Sequence, residues 1–199
     1  MLIPFLESDR LEAGCDEVGR GCLCGPVVAA AVILPPDFAN ELVNDSKKLT
    51  KSNRQNLVSE IKSSAISWAI AEASVEEIDR INILHASFLA MSRAVEMLDT
   101  KPQHLLIDGN RFKSHLEIPF TCIIQGDGKF ASIAAASILA KVYRDEMMER
   151  YADEYPGYGW EKNAGYPTVI HREGIMRLGL TPLHRRSFRH LPDQLTLDI

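Results

Sequence analysis

The segment AGCDEVGRG, residues 13–21, sets two adjacent carboxylates, Asp16 and Glu17, at the end of a short apolar stretch. A Gly-Arg-Gly turn, Gly19, Arg20 and Gly21, follows at once. Carboxylates gather hard cations such as Mg²⁺. Glycines let backbone N–H groups come close to a phosphate or a sugar, and the arginine fork matches phosphate oxygens. A cation site beside a phosphate cradle points to phosphodiester chemistry. Two further acids sit at comparable places: Asp108 ends HLLID, and Asp127 follows TCIIQG. Singly, each has a plain structural reading, since Asp108 before Gly109 suits a turn and Asp127 suits the cap of a following helix. Ligands of an α/β sheet bind beyond strand ends, so the loops carrying these four acids are expected to converge on one cavity.

An all-oxygen cluster with no His or Cys close by in sequence favours Mg²⁺ or Mn²⁺ over zinc. Two such ions can activate a water and stabilise a leaving 3′ oxygen. Neighbours on a regular strand point to opposite faces, so Asp16 and Glu17 cannot both face inward unless the strand breaks or Glu17 ligates from the side. The expectation is that Asp16 is the bridging ligand and Glu17 is peripheral.

The elements that must hold these residues read as follows. Residues 11–17 and 26–34 are two strands joined by a tight connection over residues 19–25. The second is apolar at every position, as a strand covered on both faces would be. KSNRQNLVSEIKSS is a helix, and AISWAIAEA is a third strand or a buried helix, which periodicity cannot separate. Over residues 74–98 the pattern is helical. Ser74 with Glu77 makes a capping box, and Ile78, Ile81, Leu84, Phe88, Met91, Val95 and Leu98 follow at three- and four-residue spacing. His85, within that stripe, is expected to be a satisfied core residue. HLLIDG and TCIIQGDG are short strands ending in turns, and an Ala-rich helix runs from Lys129 to about Tyr155 before Pro156. Short helices are expected over residues 168–178 and 182–189. Helices between and after strands imply one α/β domain with a mixed sheet. It spans residues 1–199, with residues 157–199 as a small C-terminal helical segment and tail.

Bulk properties fit that size. The 199 residues are 46% hydrophobic and 25% charged, ordinary for a soluble domain with a sizeable core. The longest apolar run, residues 27–34, is too short to span a bilayer, and no signal segment opens the chain. A monomeric cytoplasmic protein without membrane partners is the expectation. The four cysteines, Cys15, Cys22, Cys24 and Cys122, lack the paired spacing of a zinc site and read as free thiols. A net charge of −5 is adverse to a nucleic-acid ligand, but the charges are segregated. Residues 1–43 hold seven acids against two basic residues, residues 44–54 one against four, and residues 160–190 two against six. Such patches decide where a polyanion docks. Lys47 and Lys48, Lys141 with Arg144 on one helix face, and His184, Arg185 and Arg186 are the candidate contacts, though ion pairing on a solvated face explains several of them equally well.

With these residues in hand, the chain resembles the type 2 ribonuclease H family, the bacterial ribonucleases HII. AGCDEVGRG, NDSKKL, INILHAS, LIDGN, GDGKFASIAAASILAKVYRD, GYPT and HRRSF occur in that order over nearly the whole chain. The resemblance implies an RNase H-like fold, a mixed five-stranded sheet flanked by helices with a C-terminal helical segment. It implies metal-dependent endonucleolysis of RNA in RNA–DNA hybrids and 5′ to single ribonucleotides in duplex DNA, leaving 3′-hydroxyl and 5′-phosphate ends. The acidic quartet maps to Asp16, Glu17, Asp108 and Asp127 as catalytic metal ligands for Mn²⁺ or Mg²⁺. Gly19, Arg20 and Gly21 map to contacts with the ribose 2′-hydroxyl and a neighbouring phosphate, and Tyr166 of GYPT to a ring that stacks on the sugar 3′ of the ribonucleotide. Physical chemistry agrees: the 2′-hydroxyl distinguishes RNA from DNA, and Tyr166 offers a flat apolar face with a polar tip. Cys22, Cys24 and Gly128 depart from the usual pattern without removing a ligand. The final QLTLDI, Gln194 to Ile199, is similar to short tails that dock on the bacterial sliding clamp. Two other readings stay open at this stage: a resolvase-like nuclease of the same fold, and a non-catalytic nucleic-acid-binding module.

Overall fold

The computed structural model describes residues 2–38 and 51–191. Lys47 and Lys48, and the tail from Gln194 to Ile199, lie outside the described residues. A five-stranded sheet in the order β3-β2-β1-β4-β5 organises the chain. β1 (Glu12–Val18) pairs antiparallel with β2 (Val27–Ile33), which pairs antiparallel with β3 (Ser67–Ala73). On its other side β1 runs parallel to β4 (His104–Asp108), and β4 runs parallel to β5 (Phe120–Ile123). The sheet is mixed, as expected. β2 is buried at all seven positions, and the alternating burial of β3 resolves the ambiguous AISWAIAEA segment as a strand.

The two faces of the sheet carry separate cores. Ala13, Cys15, Val27, Ala29 and Ala31 pack with Ile78, Phe88, Met91 and Val95 of α2 (Val75–Glu96). Val28, Ala30 and Val32 pack with Leu57 and Ile61 of α1 (Lys51–Ser64), and with Ala135, Ile138 and Leu139 of α3 (Ala131–Glu154). Gly14 decides how close α3 can come. A Cβ at this position would sit 2.2 Å from the Ser132 carbonyl carbon, so any side chain would push the start of α3 off β1. Residues two apart on a strand share a face, so Asp16 lies on the same side as Gly14, beneath α3.

α2 has the expected capping box: the Glu77 N–H donates to Ser74 Oγ, and Glu77 Oε2 accepts from the Ser74 N–H. It is not one continuous helix. Asn82 has φ 64° and its Oδ1 accepts the N–H groups of Leu84 and His85, so it caps a second helical segment at a kink. His85 is consequently exposed rather than in the core, its ring beside Asn82 and the Ile81 carbonyl.

Residues beyond α3 form α4 (Trp160–Asn163) and α5 (Val169–Leu178), the latter capped by Thr168 Oγ1. Residues 182–189, expected to be helical, are a run of turns. Their backbone groups are engaged elsewhere: the N–H groups of Arg186 and Ser187 donate to Asp79, and that of Arg185 donates to the Leu23 carbonyl. Leu23, Cys24 and Met148 make one apolar cluster with Tyr158, Trp160 and Ile175, so this segment is fastened to the β1–β2 connection. No helix among the described residues is long and apolar enough to cross a membrane.

Glu77 also accepts from both terminal nitrogens of Arg93, at 2.7 and 2.8 Å. The hydrogen bonds from Arg93 hold its carboxyl at about 2. A depressed carboxyl contributes stability that is present above its unfolded value, near 4.5, and is lost as pH falls toward 2. Glu77→Gln should therefore lower stability at pH 7 by about 1 kcal/mol. Urea denaturation should show that difference shrinking below about pH 4.5 and vanishing near pH 2.

Candidate active site

Asp16 and Asp108 end up side by side because β1 and β4 are parallel neighbours. The Cys15–Ile107 pair is the last of their ladder, and the two acids are the next residues on each strand. Asp16 is 6% exposed. Its Oδ1 accepts the Glu17 N–H at 2.7 Å, and the Ser137 hydroxyl of α3 also bonds to it. Asp108 Oδ1 accepts the Gly126 N–H at 2.7 Å, which ties the end of β4 to the 3₁₀ turn Gly126–Gly128 that carries Asp127. Asp127 does not cap α3: Phe130 occupies that N-cap position with no side-chain bond.

The strand does not break at the acidic pair. Asp16 faces Ala30 and Glu17 faces Ala29 in continuous register, so the two side chains leave opposite faces. Glu17 turns toward Arg20, its Oε1 3.0 Å from Arg20 Nη1. Burial raises the Asp16 carboxyl well above the carboxylate range, and the charges of Glu17 and Asp108 push it the same way. Burial also raises Glu17, against the opposing pull of Arg20.

Asp16, Glu17, Asp108 and Asp127 line one cleft of about 490 Å³. Gly19, Arg20, Gly21, Lys141 and Tyr166 line it too, as do Arg54 and Ser137. A Cβ at Gly21 would lie 3.9 Å from Tyr166 Cε1, so the turn and the ring face each other. Lys141 pairs with Asp145, 2.7 Å away, one helical turn further along α3. Ser137 and Arg54 were not among the expected site residues. Ser137 has a readable signal, since it lies four residues before Lys141 on the same helix face. Arg54 closes the basic run of residues 44–54.

The donor set suits a hard divalent cation. It consists of carboxylates and a hydroxyl, and the burial and neighbouring negative charge that raise Asp16 are what a bound cation offsets. Among the described residues no three His, Cys, Asp or Glu side chains close into a cage, so water and a ligand's own oxygens would have to complete the coordination.

Two expected nucleic-acid contacts are instead beneath the site. Arg144 and Arg185 are fully buried. Arg185 donates to the carbonyls of Arg20, Cys22, Gly25 and Pro26, and Arg144 to those of Cys24, Pro26 and Ala164. Arg185 therefore cannot line a groove, because its guanidinium is spent on the loop that carries the Gly-Arg-Gly turn. Burial and the charge of Arg144 lower it to about 10, which leaves it a cation at neutral pH. Gly19, at φ +97°, is tied to this arrangement, since a Cβ there would fall 2.3 Å from Arg144 Nε. His184 is likewise buried, whereas Arg186 is exposed. The four cysteines are free thiols. Cys22 lies near both arginines and Tyr166.

The family model for ribonuclease HII matches residues 13–191. The chain belongs to the ribonuclease HII family. It is 60% identical to the ribonuclease HII of Parabacteroides distasonis over 197 residues, 99% of each chain. Among solved structures, the ribonuclease H2 of Pyrococcus horikoshii OT3 superposes with a TM-score of 0.76 at 26% identity, covering 90% of this chain and 94% of that one. The RNase HII of Archaeoglobus fulgidus, solved as a PCNA:RNase HII complex, gives 0.74 at 25% identity, over 94% and 98%. Family membership makes the chain an endoribonuclease, and the mixed five-stranded sheet with flanking helices is the fold these neighbours share.

Proposed function

We propose that this endoribonuclease hydrolyses the RNA strand of RNA–DNA hybrids and cuts 5′ to single ribonucleotides embedded in duplex DNA. The observation that carries this reading is one cleft lined at once by the acids of three strand ends, a glycine turn and a facing tyrosine. Backbone amides at Gly19 and Gly21 can approach a ribose 2′-hydroxyl without a side chain in the way. Tyr166 would stack on the sugar 3′ of the ribonucleotide, and Arg54 and Lys141 would meet flanking phosphates. Asp16, Glu17 and Asp108, with Asp127 from the 3₁₀ turn, would hold Mg²⁺ or Mn²⁺. When bound, two such cations supply the charge stabilisation for in-line attack of water, leaving 3′-hydroxyl and 5′-phosphate ends. Asp16 and Asp108 are the inner pair. Glu17, turned toward Arg20, would be the peripheral one. A non-catalytic binding module would gain nothing from this cluster, because uncompensated carboxylates repel a polyanion.

A DNA duplex with a single ribonucleotide tests this directly. Cleavage on its 5′ side is expected with Mg²⁺ or Mn²⁺ and none with chelator. Asp16→Asn and Asp108→Asn should each lower the rate by about 100-fold or more, and Glu17→Ala by less than Asp16→Asn. Normal cleavage by Asp108→Asn, or cutting of all-DNA branched substrates instead, contradicts the reading.

The tail residues 194–199 are proposed to dock on a sliding clamp, a reading supported by their Gln-Leu-x-Leu pattern and by the Archaeoglobus fulgidus relative. Deleting them should abolish clamp binding, measured by surface plasmon resonance, while leaving cleavage of short duplexes intact. Unchanged clamp affinity contradicts it.

A further inference from the structure

Below Tyr166 the C-terminal segment contains a buried chain of neutral imidazoles. His171 and His184 are 0% and 2% exposed. Their protonation patterns follow from partners that can only donate. The indole N–H of Trp160 donates to His171 Nε2 at 2.9 Å, so that nitrogen carries no proton. His171 Nδ1 must then carry it, and it donates to the Tyr166 carbonyl at 2.9 Å. On the far side, the Thr181 N–H donates to His184 Nδ1 at 2.9 Å, so the proton of His184 is on Nε2. That group lies 3.2 Å from His171 Nε2 and donates to the same lone pair as Trp160. The chain runs in one direction, from the Thr181 amide through two rings to the backbone of Tyr166.

We propose that His171, locked in one tautomer by Trp160 and His184, is the positioning residue for Tyr166. The reason lies in how few bonds the GYPT loop has. Tyr166 is 39% exposed, with its ring on the cleft. Its backbone is held by its own N–H to the Asn163 carbonyl, by the Thr168 N–H to its carbonyl, and by His171. Of these, only the His171 bond comes from a side chain, and it ties the loop to the packed interior of α5. Cys22 lies near the other end of the side chain. The His171 bond is thus the side-chain tie between the loop and the interior, and its loss leaves the ring free to swing off the sugar it would stack on. Desolvation lowers both histidines, His184 to about 4, which keeps the rings neutral as this pattern requires. A charged His171 would carry a proton on Nε2, facing two donors.

The inference rests on the reading of Tyr166 as the stacking residue, and the experiment separates the two. The protein has five tyrosines, so 3-fluorotyrosine labelling with Tyr166→Phe as the assignment control gives one ¹⁹F resonance for Tyr166. His171→Leu should shift or broaden that resonance. His171→Asn, whose amide nitrogen can take the place of Nδ1, should restore it. In parallel, kcat/KM on a single-ribonucleotide duplex should fall about tenfold or more in His171→Leu and in Tyr166→Ala. The double variant should be no slower than Tyr166→Ala alone, because both changes remove one function. Where His171→Leu does not fold, His184→Leu against His184→Gln makes the same comparison. An unmoved Tyr166 resonance in the Leu variants, or a double variant whose loss equals the product of the single losses, overturns the inference. A moved resonance with full cleavage by Tyr166→Ala supports the positioning role and overturns the stacking role of Tyr166.

Discussion

Six backbone carbonyls, those of Arg20, Cys22, Cys24, Gly25, Pro26 and Ala164, are satisfied by two buried guanidinium groups. A loop that follows one strand and precedes another usually finds its partners in water. This loop is covered, and leaving a buried carbonyl unpaired costs roughly 1–3 kcal/mol. Arginine is the side chain suited to the task, since it presents five donors in a fixed plane and keeps its proton when desolvated. Arg144 arrives from the middle of α3 and Arg185 from the last turns of the described chain. The two therefore join the β1–β2 connection, the Ala-rich helix and the C-terminal segment into one unit. Carbonyl dipoles, with Asp79 acting on Arg185, offset their charge on the side of the loop away from the cleft.

The candidate active site depends on that unit from both directions. On one side, parallel pairing of β1 and β4 puts Asp16 and Asp108 next to each other, and Gly14 lets α3 settle close enough for Ser137 to reach Asp16. On the other, the arginines hold the Gly-Arg-Gly turn against the GYPT loop, so that Gly21 and Tyr166 face each other across the cleft. Negative charge is concentrated at the sheet end and positive charge lies under the turn. The proposed cleavage would use both: a cation held by the acids and donors for the phosphate and sugar beside it.

Much of this was readable from residue types. Asp16, Asp108 and Asp127 could be placed at strand ends because the strands before them are short apolar runs, and an α/β sheet gathers its ligands there. The opposite directions of the Asp16 and Glu17 side chains followed from strand alternation. Charged residues that go inside were not readable. Arg185 looked like a groove contact because arginine is almost never fully buried unless it is paired, and the carbonyls that recruit it exist only once the loop has folded. His184 and His85 exchanged roles for similar reasons. The first is packed among aromatic rings that converge from three segments, and the second is turned outward by the kink at Asn82. The Asn82 kink hides in a pattern whose apolar spacing continues unbroken across it. Residues 182–189 have no strong stop signal besides Pro182, and what keeps them from a helix is Asp79, a tertiary partner about a hundred residues earlier.

Hydrogen exchange in an Arg185→Met variant tests the central claim most directly. If the buried guanidinium holds the loop, exchange of the Leu23, Gly25 and Tyr166 amides should accelerate in the variant. These amides bond to the carbonyls of Gly165, Leu183 and Asn163. Amides of β2 should keep their protection. Unchanged exchange at those three amides would show that the loop and the GYPT segment hold together without the arginine, and would contradict the account.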